Sequence, residues 1–206
     1  MPQYRMTRWT DSVQRVFFIL GLAALSGSAI AQSKGDPGRG AAKVAVCAAC
    51  HGPEGSKPIA GMPALSGQQE EFLLLQMILL REGLRDVPAM NGMLKAFSDP
   101  DLMDIAAHYS KAKPFTGSGS ERNPQRYTLG ADISKAMGCG SCHMGNYTGQ
   151  RQVPRITNQR EDYLASALKA YRDNQRSGVD TSMNAVMYKT TDEDIAALAH
   201  YLAYRN

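Results

Sequence analysis

The chain has 206 residues, with 23 basic and 19 acidic side chains and a net charge of +4 at pH 7. This balance excludes the strongly basic surface that nucleic-acid binding requires. All four cysteines fall into two short motifs, so the sequence has no separate disulfide framework.

The first 31 residues have the three parts of an export signal. Arg5, Arg8 and Arg15 make the first part basic. Residues 16–25 are continuously apolar, and residues 29–31 (Ala-Ile-Ala) have the pattern of a cleavage site. The apolar run is shorter than the ~20 residues of a membrane-spanning helix. We expect cleavage after Ala31, a periplasmic location and no stable membrane anchor. An uncleaved anchor is the alternative.

Residues 47–51 (Cys-Ala-Ala-Cys-His) and 139–143 (Cys-Gly-Ser-Cys-His) share the pattern C-x-x-C-H. Two thiols at this spacing can add to the vinyl groups of one haem, and the adjacent imidazole then lies beneath the iron as an axial ligand. Two copies predict two covalently attached haem c groups. The predicted attachment and ligand residues are Cys47, Cys50 and His51, then Cys139, Cys142 and His143.

Other uses of a C-x-x-C pair explain less of the pattern. A zinc site would place two such pairs ~15–20 residues apart, whereas Cys47 and Cys139 are 92 residues apart. A thioredoxin-like redox pair or a disulfide within each motif would leave both adjacent histidines without a role.

The two motifs begin two equivalent units. Residues 90–102 align with 183–195 without a gap, and residues 63–68 align with 154–159. Such a repeat indicates a duplicated domain. We predict a signal peptide over 1–31, a first domain over 32–113, a Gly-, Ser- and Pro-containing linker over 114–126, and a second domain over 127–206.

Periodicity predicts three helices in each unit, and no alternating strand pattern is found. The first helices are expected over residues 39–49 and 129–137, and the second over 69–82 and 161–176. The fold class predicted is therefore all-α, with each domain wrapped around one haem.

The third helices have the clearest start signals. Ser98 and Thr191 are N-cap residue types, and Asp101 and Asp194 follow three positions later. Apolar stripes at helical spacing follow: Leu102, Ile105, Ala106 and Tyr109, and then Ile195, Leu198, Ala199 and Leu202.

Met90 and Met183 are the predicted sixth ligands of the two irons, because a thioether is a soft ligand that suits an electron-carrying haem. They are equivalent in the repeat and lie 39 and 40 residues after their histidines. The alternatives are Met93 and Met187, which are not equivalent to each other, and Met62, Met77 and Met144, which lack a methionine counterpart.

Pro63 and Pro154 follow the motif histidines by 12 and 11 residues. Their carbonyls are candidate acceptors for the second imidazole N–H, which metal-bound histidines usually donate to an oxygen. His108 and His200 are not equivalent to each other, and we interpret them as ordinary surface or helix-end residues.

Two further stretches have candidate roles. Residues 72–80 contain one polar residue in nine, so this helix must bury both faces, against the other domain, a partner subunit or the core. Arg151, Arg155 and Arg160 could pair with haem propionates or attract an acidic partner, or could lie on the solvated surface.

Residues 43–52, 63–68, 90–93 and 98–107, with their second-half counterparts, make the chain similar to diheme class I cytochromes c of the cytochrome c4 family. The resemblance implies two helical domains that face each other, His/Met ligation of both irons, a proline carbonyl bonded to each proximal histidine, and periplasmic electron transfer.

We therefore predict an electron carrier that exchanges single electrons with a donor and an acceptor protein, not an enzyme. The alternative is the diheme subunit of a larger dehydrogenase, such as a flavoprotein that oxidises a sulfur compound, docked on residues 72–80. A catalytic diheme protein, such as a peroxidase or thiosulfate dehydrogenase, is a third class; a peroxidase would need an iron without a strong sixth ligand.

Overall fold

The computed structural model describes residues 34–117, 121–176, 179 and 181–205. The predicted signal peptide and its cleavage site lie outside these residues. In the described part of the chain the secondary structure is helical, with one isolated bridge between Gln150 and Val153 and no strand. The all-α prediction is confirmed.

Helices follow the same order in both halves. The first half contains α1 (Pro37–Ala41), α2 (Ala48–His51), α3 (Glu70–Arg81) and α4 (Asp99–Lys111). The second contains α5 (Pro124–Ala136), α6 (Cys139–His143), α7 (Glu161–Arg172), α8 (Ser182–Met187) and α9 (Asp192–Tyr204). Each C-x-x-C-H motif thus lies in or beside a short helix, α2 or α6.

The predicted capping boxes of α4 and α9 are present. The Ser98 N–H donates to Asp101 Oδ2 at 2.9 Å, and the Thr191 N–H donates to Asp194 Oδ2 at 2.8 Å. The capping hydroxyls accept the return bonds from the Asp101 and Asp194 backbone N–H groups. These bonds satisfy helix-end donors and fix where both helices begin.

The first helix of each half crosses the last one at a glycine. A Cβ atom at Gly40 would clash with the Asp104 carbonyl oxygen of α4, and a Cβ atom at Gly130 would clash with the Ala197 carbonyl oxygen of α9. Absence of a side chain therefore allows each pair of helices to approach backbone to backbone. Both predicted apolar stripes of α4 and α9 are buried beneath these crossings.

The helix predicted over residues 39–49 ends early, at Ala41. Turns replace the helical ladder beyond it, for example where the Cys47 N–H donates to the Val44 carbonyl at 3.0 Å. Such i to i−3 bonds close a tighter turn than an α-helix.

The end of the predicted linker is also helical. α5 begins at Pro124, where the Asn123 side chain accepts a hydrogen bond from the Arg126 N–H at 2.9 Å. Proline suits the first helical position and asparagine suits the N-cap, so these two residues start the helix inside the range 114–126.

Two buried glutamines join the halves. Gln159 Nε2 donates to the Ala64 carbonyl at 2.9 Å, and its Oε1 accepts from the Ala64 N–H at 2.8 Å. Gln68 makes the same pair of bonds with Arg155, at 2.9 and 2.6 Å. Gln68 is equivalent to Gln159 in the repeat, and Ala64 to Arg155. The contact is therefore reciprocal, like that of a two-fold symmetric dimer.

The apolar run 72–80 is explained by contacts within the chain. Leu73 is buried against Ile105 and Tyr109 of α4, while Phe72 and Leu80 line the central cavity described below. No residue of 72–80 is exposed. The run therefore does not require the partner subunit that the sequence suggested as one explanation.

Candidate haem sites

Both motif histidines are buried and oriented by a backbone carbonyl. His51 Nδ1 donates to the Pro63 oxygen at 2.9 Å, and His143 Nδ1 donates to the Pro154 oxygen at 2.9 Å. Each imidazole is only 6% exposed. Pro63 and Pro154 thus lie where the sequence places the acceptors.

Burial lowers the pKa of His51 and of His143, and the bond to the proline carbonyl only partly offsets that effect. Both imidazoles are therefore neutral at pH 7. With Nδ1–H engaged, each ring retains the Nε2 lone pair, which is the form that binds iron.

The four motif cysteines form no disulfide, and the two cysteines of each motif lie about one helical turn apart. Cys47 and Cys139 are partly buried, whereas Cys50 and Cys142 are exposed. Burial raises the pKa of the Cys47 and Cys139 thiols. The arrangement presents one inner and one outer thiol beside each histidine.

A continuous cavity of about 290 Å³ connects the two histidines. His51, Cys47 and Cys50 line its first part and His143 lines its second, whereas Cys139 and Cys142 are outside the lining. Its walls are mainly apolar side chains from both halves, including Leu73, Ile105, Leu164, Leu168 and Leu202. A large, flat, apolar group such as haem matches these walls.

The methionine candidates differ in position. Met183 lies in α8 and is the second-half methionine that lines the cavity, whereas Met187 is buried in the core and Met144 is 41% exposed. In the first half Met90 lines the cavity at the end of the turn Pro88–Met90. Met62, Met77 and Met93 also line that part. Equivalence to Met183 favours Met90.

Two arginines that the sequence interpretation missed also line the cavity. Arg85 Nε and Arg176 Nε are buried without a hydrogen-bond partner. Arg85 Nη1 donates to Gln76 Oε1 at 2.7 Å, and Arg176 Nη1 reaches the Tyr163 hydroxyl at 3.4 Å. Within the described residues neither arginine has a carboxylate partner.

Among the described residues the partners of these two cations are amide and tyrosine side chains, not carboxylates. Burial, together with the nearby charge of Arg176, lowers the pKa of Arg85. Buried charges are normally paired, and the two propionates that each haem carries are suitable partners. The apolar walls, the two oriented histidines and the orphaned guanidinium nitrogens therefore fit haem.

A sequence signal for this arginine pair exists. Arg85 follows Gly83 and Arg176 follows Asn174, each by two residues, at equivalent positions of the repeat. Both Gly83 and Asn174 have a left-handed backbone, with φ of 70° and 55°. The same turn thus places both arginines, and aligning the region between the second helix and the methionine would have found them.

The three arginines of the predicted cluster, Arg151, Arg155 and Arg160, lie in different environments. Arg155 lines the cavity, and burial lowers its pKa. Arg151 is exposed and pairs with Glu71 at 3.3 Å, while Arg160 pairs with Asp162 at 2.6 Å. Of the three, only Arg155 lies where a haem carboxylate could reach it.

His200 is buried, so the surface alternative of the sequence interpretation (surface or helix-end) is wrong for this residue. It is 3% exposed, accepts a hydrogen bond from the Asn123 N–H at 2.9 Å, and contacts Glu161 at 3.1 Å. Its role is to tie α9 to the N-terminal ends of α5 and α7. His108 is partly buried, and its ring packs edge-on against Tyr109.

Comparisons with known proteins agree with this geometry. Residues 127–205 match the model of the family described as Cytochrome c. Cytochrome c4 of Azotobacter vinelandii is 34% identical over 198 residues, which cover 88% of this chain and 94% of the relative. The chain belongs to the cytochrome c4 family. It is therefore an electron-carrying c-type cytochrome with two class I domains, as the sequence predicted.

Two further proteins are similar to this chain over most of its length. The crystal structure of reduced cytochrome c4 from Pseudomonas stutzeri superposes on this chain with a TM-score of 0.78 and 33% sequence identity. The match covers 84% of this chain and 100% of the cytochrome c4 chain. A thiosulfate dehydrogenase electron acceptor of Thiomonas intermedia is 32% identical, with 93% of this chain and 91% of the relative covered. Covalent haem c is the cofactor of such cytochromes.

Among the described residues, no helix combines the length and the apolar character needed to cross a bilayer.

Proposed function

We propose that this chain carries two haem c groups and transfers single electrons between redox proteins of the periplasm. Cys47 and Cys50 hold the first haem and Cys139 and Cys142 the second, through thioether bonds. His51 and Met90 ligate the first iron, and His143 and Met183 the second. The bound haem supplies the reversible one-electron chemistry of iron.

The observation that carries this proposal is the pair of His–carbonyl bonds facing one continuous cavity. His51 and His143 are held in the same tautomer by Pro63 and Pro154, at the same distance of 2.9 Å. Two equivalent, neutral, oriented imidazoles are suited to holding two equivalent metals. A methionine opposite each would leave no open coordination position for a substrate.

The protein residues have three tasks in this role. Apolar side chains exclude water from the cavity, and the histidines and methionines keep the ligand set fixed during a change of charge. Arg85 and Arg176 pair with haem carboxylates and so neutralise charge at the centre of the molecule. In the first half, Val46 and Met93 line the cavity yet are 49% and 43% exposed. This opening is where electrons would pass to a partner.

Haem stoichiometry tests the proposal. The full chain, produced in a host that attaches haem c, should be cleaved after Ala31 and should gain the mass of two haems. Replacing Cys47 and Cys50 together by alanine should leave one haem, and replacing Cys139 and Cys142 should leave the other. A wild-type chain with one haem or none would contradict the proposal.

A second candidate is a dedicated electron acceptor for a sulfur-compound dehydrogenase, as in the alternative derived from the sequence. The similarity to the Thiomonas intermedia electron acceptor over most of both chains favours it. Rapid reduction of the purified cytochrome by a thiosulfate dehydrogenase and thiosulfate, with stable co-purification, would support this role. A monodisperse single chain that the enzyme does not reduce would contradict this role and favour the general electron carrier.

A further inference from the structure

Two peptide units connect the halves to the proximal histidines. The Pro63 carbonyl accepts from His51, and the N–H of that same peptide unit, contributed by Ala64, donates to Gln159 Oε1 at 2.8 Å. In the second half the Pro154 carbonyl accepts from His143. The N–H of that unit, contributed by Arg155, donates to Gln68 Oε1 at 2.6 Å. Each histidine is thus linked through one peptide to a glutamine of the opposite half.

The glutamines are held rigidly for this contact. Gln68 and Gln159 are each 7% exposed. Their Nε2 atoms donate to the next carbonyl, that of Arg155 or Ala64, at 2.9 Å. Two bonds of opposite polarity to one residue fix which amide atom faces the N–H. The orientation of both glutamines is therefore determined by the backbone that they bind.

We propose that Gln159 tunes the iron bound by His51, and that Gln68 tunes the iron bound by His143, each acting across the interface between the halves. This inference rests on the proposed haem ligation. Both glutamines are positioning residues that act through a peptide and a histidine.

The physical basis is polarisation along a hydrogen-bond chain. An acceptor on the peptide N–H increases the negative charge on the carbonyl oxygen, and chained hydrogen bonds strengthen one another in a low-dielectric interior. A more negative oxygen draws the Nδ1 proton and makes the imidazole a more basic ligand. A more basic ligand stabilises ferric iron, so each glutamine lowers the potential of the haem in the other half.

Leucine substitutions test this relay. Gln159→Leu should raise the ratio of reduced to oxidised first-half haem at a fixed ambient potential by about two- to fivefold, which is ~20 to ~40 mV for a one-electron couple. Gln68→Leu should do the same for the second-half haem. Redox titration of the holoprotein, with haem methyl NMR to assign each haem, measures both.

Gln69→Leu is the matched control. Gln69 Nε2 also crosses the interface, donating to the carbonyls of Thr148 and Gly149 at 2.8 and 3.3 Å. The Thr148–Gly149 peptide N–H donates to the backbone carbonyl of His143 at 3.0 Å, not to its imidazole, so this contact does not polarise the iron ligand. This variant should change the ratio of reduced to oxidised haem in either half by less than twofold at the same ambient potential. An equal shift in all three variants would show a general loosening of the interface and would overturn the relay.

A second readout covers variants that fold poorly. Gln68→Asn and Gln159→Asn keep an amide that is one methylene too short, and they should move the histidine Nδ1–H resonance of the opposite half upfield in the reduced protein. No movement, or movement in the same half, would overturn the inference. A wild-type protein that does not contain two His-ligated haems would instead contradict the proposed function, so the two failures are distinguishable.

Discussion

At the scale of single residues, the buried arginines are the feature that most constrains the cofactor. Arg85 and Arg176 come from equivalent turns of the two halves, and both have an orphaned Nε atom at the cavity. Two cations close together, without a carboxylate partner among the residues that the structure describes, would be costly on their own. Haem propionates would remove that cost.

This leads to a prediction about potential. Replacing Arg85 or Arg176 by glutamine removes a positive charge that disfavours the ferric state, so the potential of the nearer haem should fall. At an effective dielectric constant of ~20 and separations of ~8 to ~16 Å, the change is about 1 to 2 kcal/mol. Redox titration measures it. Arg151→Gln, which removes an exposed arginine paired with Glu71, should change neither potential, and an equal fall there would contradict the assignment.

The sequence identifies the residues whose chemical role follows from their spacing along the chain. The C-x-x-C-H motifs select the cysteines and histidines, and the ungapped repeat selects Met90 and Met183. Alignment of the repeat pairs Arg85 with Arg176, but it does not show that they line a cavity, because an arginine after a helix has the same composition signal whether it faces water or a cavity. Which of Arg151, Arg155 and Arg160 turns inward depends on tertiary packing for the same reason.

At the scale of helices, the fold depends on two close crossings. α1 crosses α4 at Gly40, and α5 crosses α9 at Gly130. At both positions the neighbouring atom is a backbone carbonyl, which cannot move aside as a side chain end could.

Gly130→Ala should therefore destabilise the protein by about 1 to 3 kcal/mol, the usual cost of overpacking, or more. Denaturant unfolding of the holoprotein measures this. Gly145→Ala is the control, because a Cβ atom there meets nothing within 4 Å. Equal stability of the two variants would show that the α5–α9 crossing can separate without cost.

An ionic contact reinforces only the first crossing. Asp104 of α4 is 2% exposed and accepts hydrogen bonds from Arg39, Lys43 and the Asp36 N–H. The Arg39 bond is the main reason that the pKa of Asp104 lies far below its ordinary value of 3.8. The equivalent position in α9 is Ala197.

A depressed pKa gives this carboxylate a defined pH window. Its contribution to stability is complete above pH ~5, where it is charged in both states, and is lost as the pH falls toward the pKa of the folded state. Asp104→Asn should be less stable than wild type at pH 7, and the difference should shrink in acid. Thermal unfolding at several pH values measures it. A difference that stays constant between pH 7 and pH 2 would contradict this account.

Helix existence is more predictable from sequence than helix limits. The starts of α4 and α9 follow from Ser98 and Thr191, because capping is local chemistry. The break after Ala41 and the short helix α8 do not follow, since residues 42–47 and 182–187 carry no strong breaker or periodic stripe. Both segments contribute to the lining of the cavity, through Cys47 and Met183.

At the scale of the whole molecule, the two halves share one cavity, and each half has its own buried core clusters beside it. A space of about 290 Å³ with apolar walls is not compatible with the close packing of a protein interior unless a group fills it. Each half is also small enough that its core alone gives marginal stability.

Loss of haem should therefore unfold the half that carries it. The variant with Cys139 and Cys142 both replaced by serine should retain the first haem, lose part of its helical far-UV CD signal and become sensitive to proteolysis in the second half. A variant with the CD signal and protease resistance of the wild type would show that the helices pack without the cofactor.

In the proposed holoprotein, each half holds one iron between a histidine and a methionine. Proton NMR of the reduced holoprotein tests it, because a methionine bound above a haem has its methyl resonance shifted far upfield. We predict two such resonances in the wild type, with one lost in Met90→Ala and the other in Met183→Ala. A wild-type spectrum with a single shifted methyl, or a methionine variant that keeps both, would contradict the account.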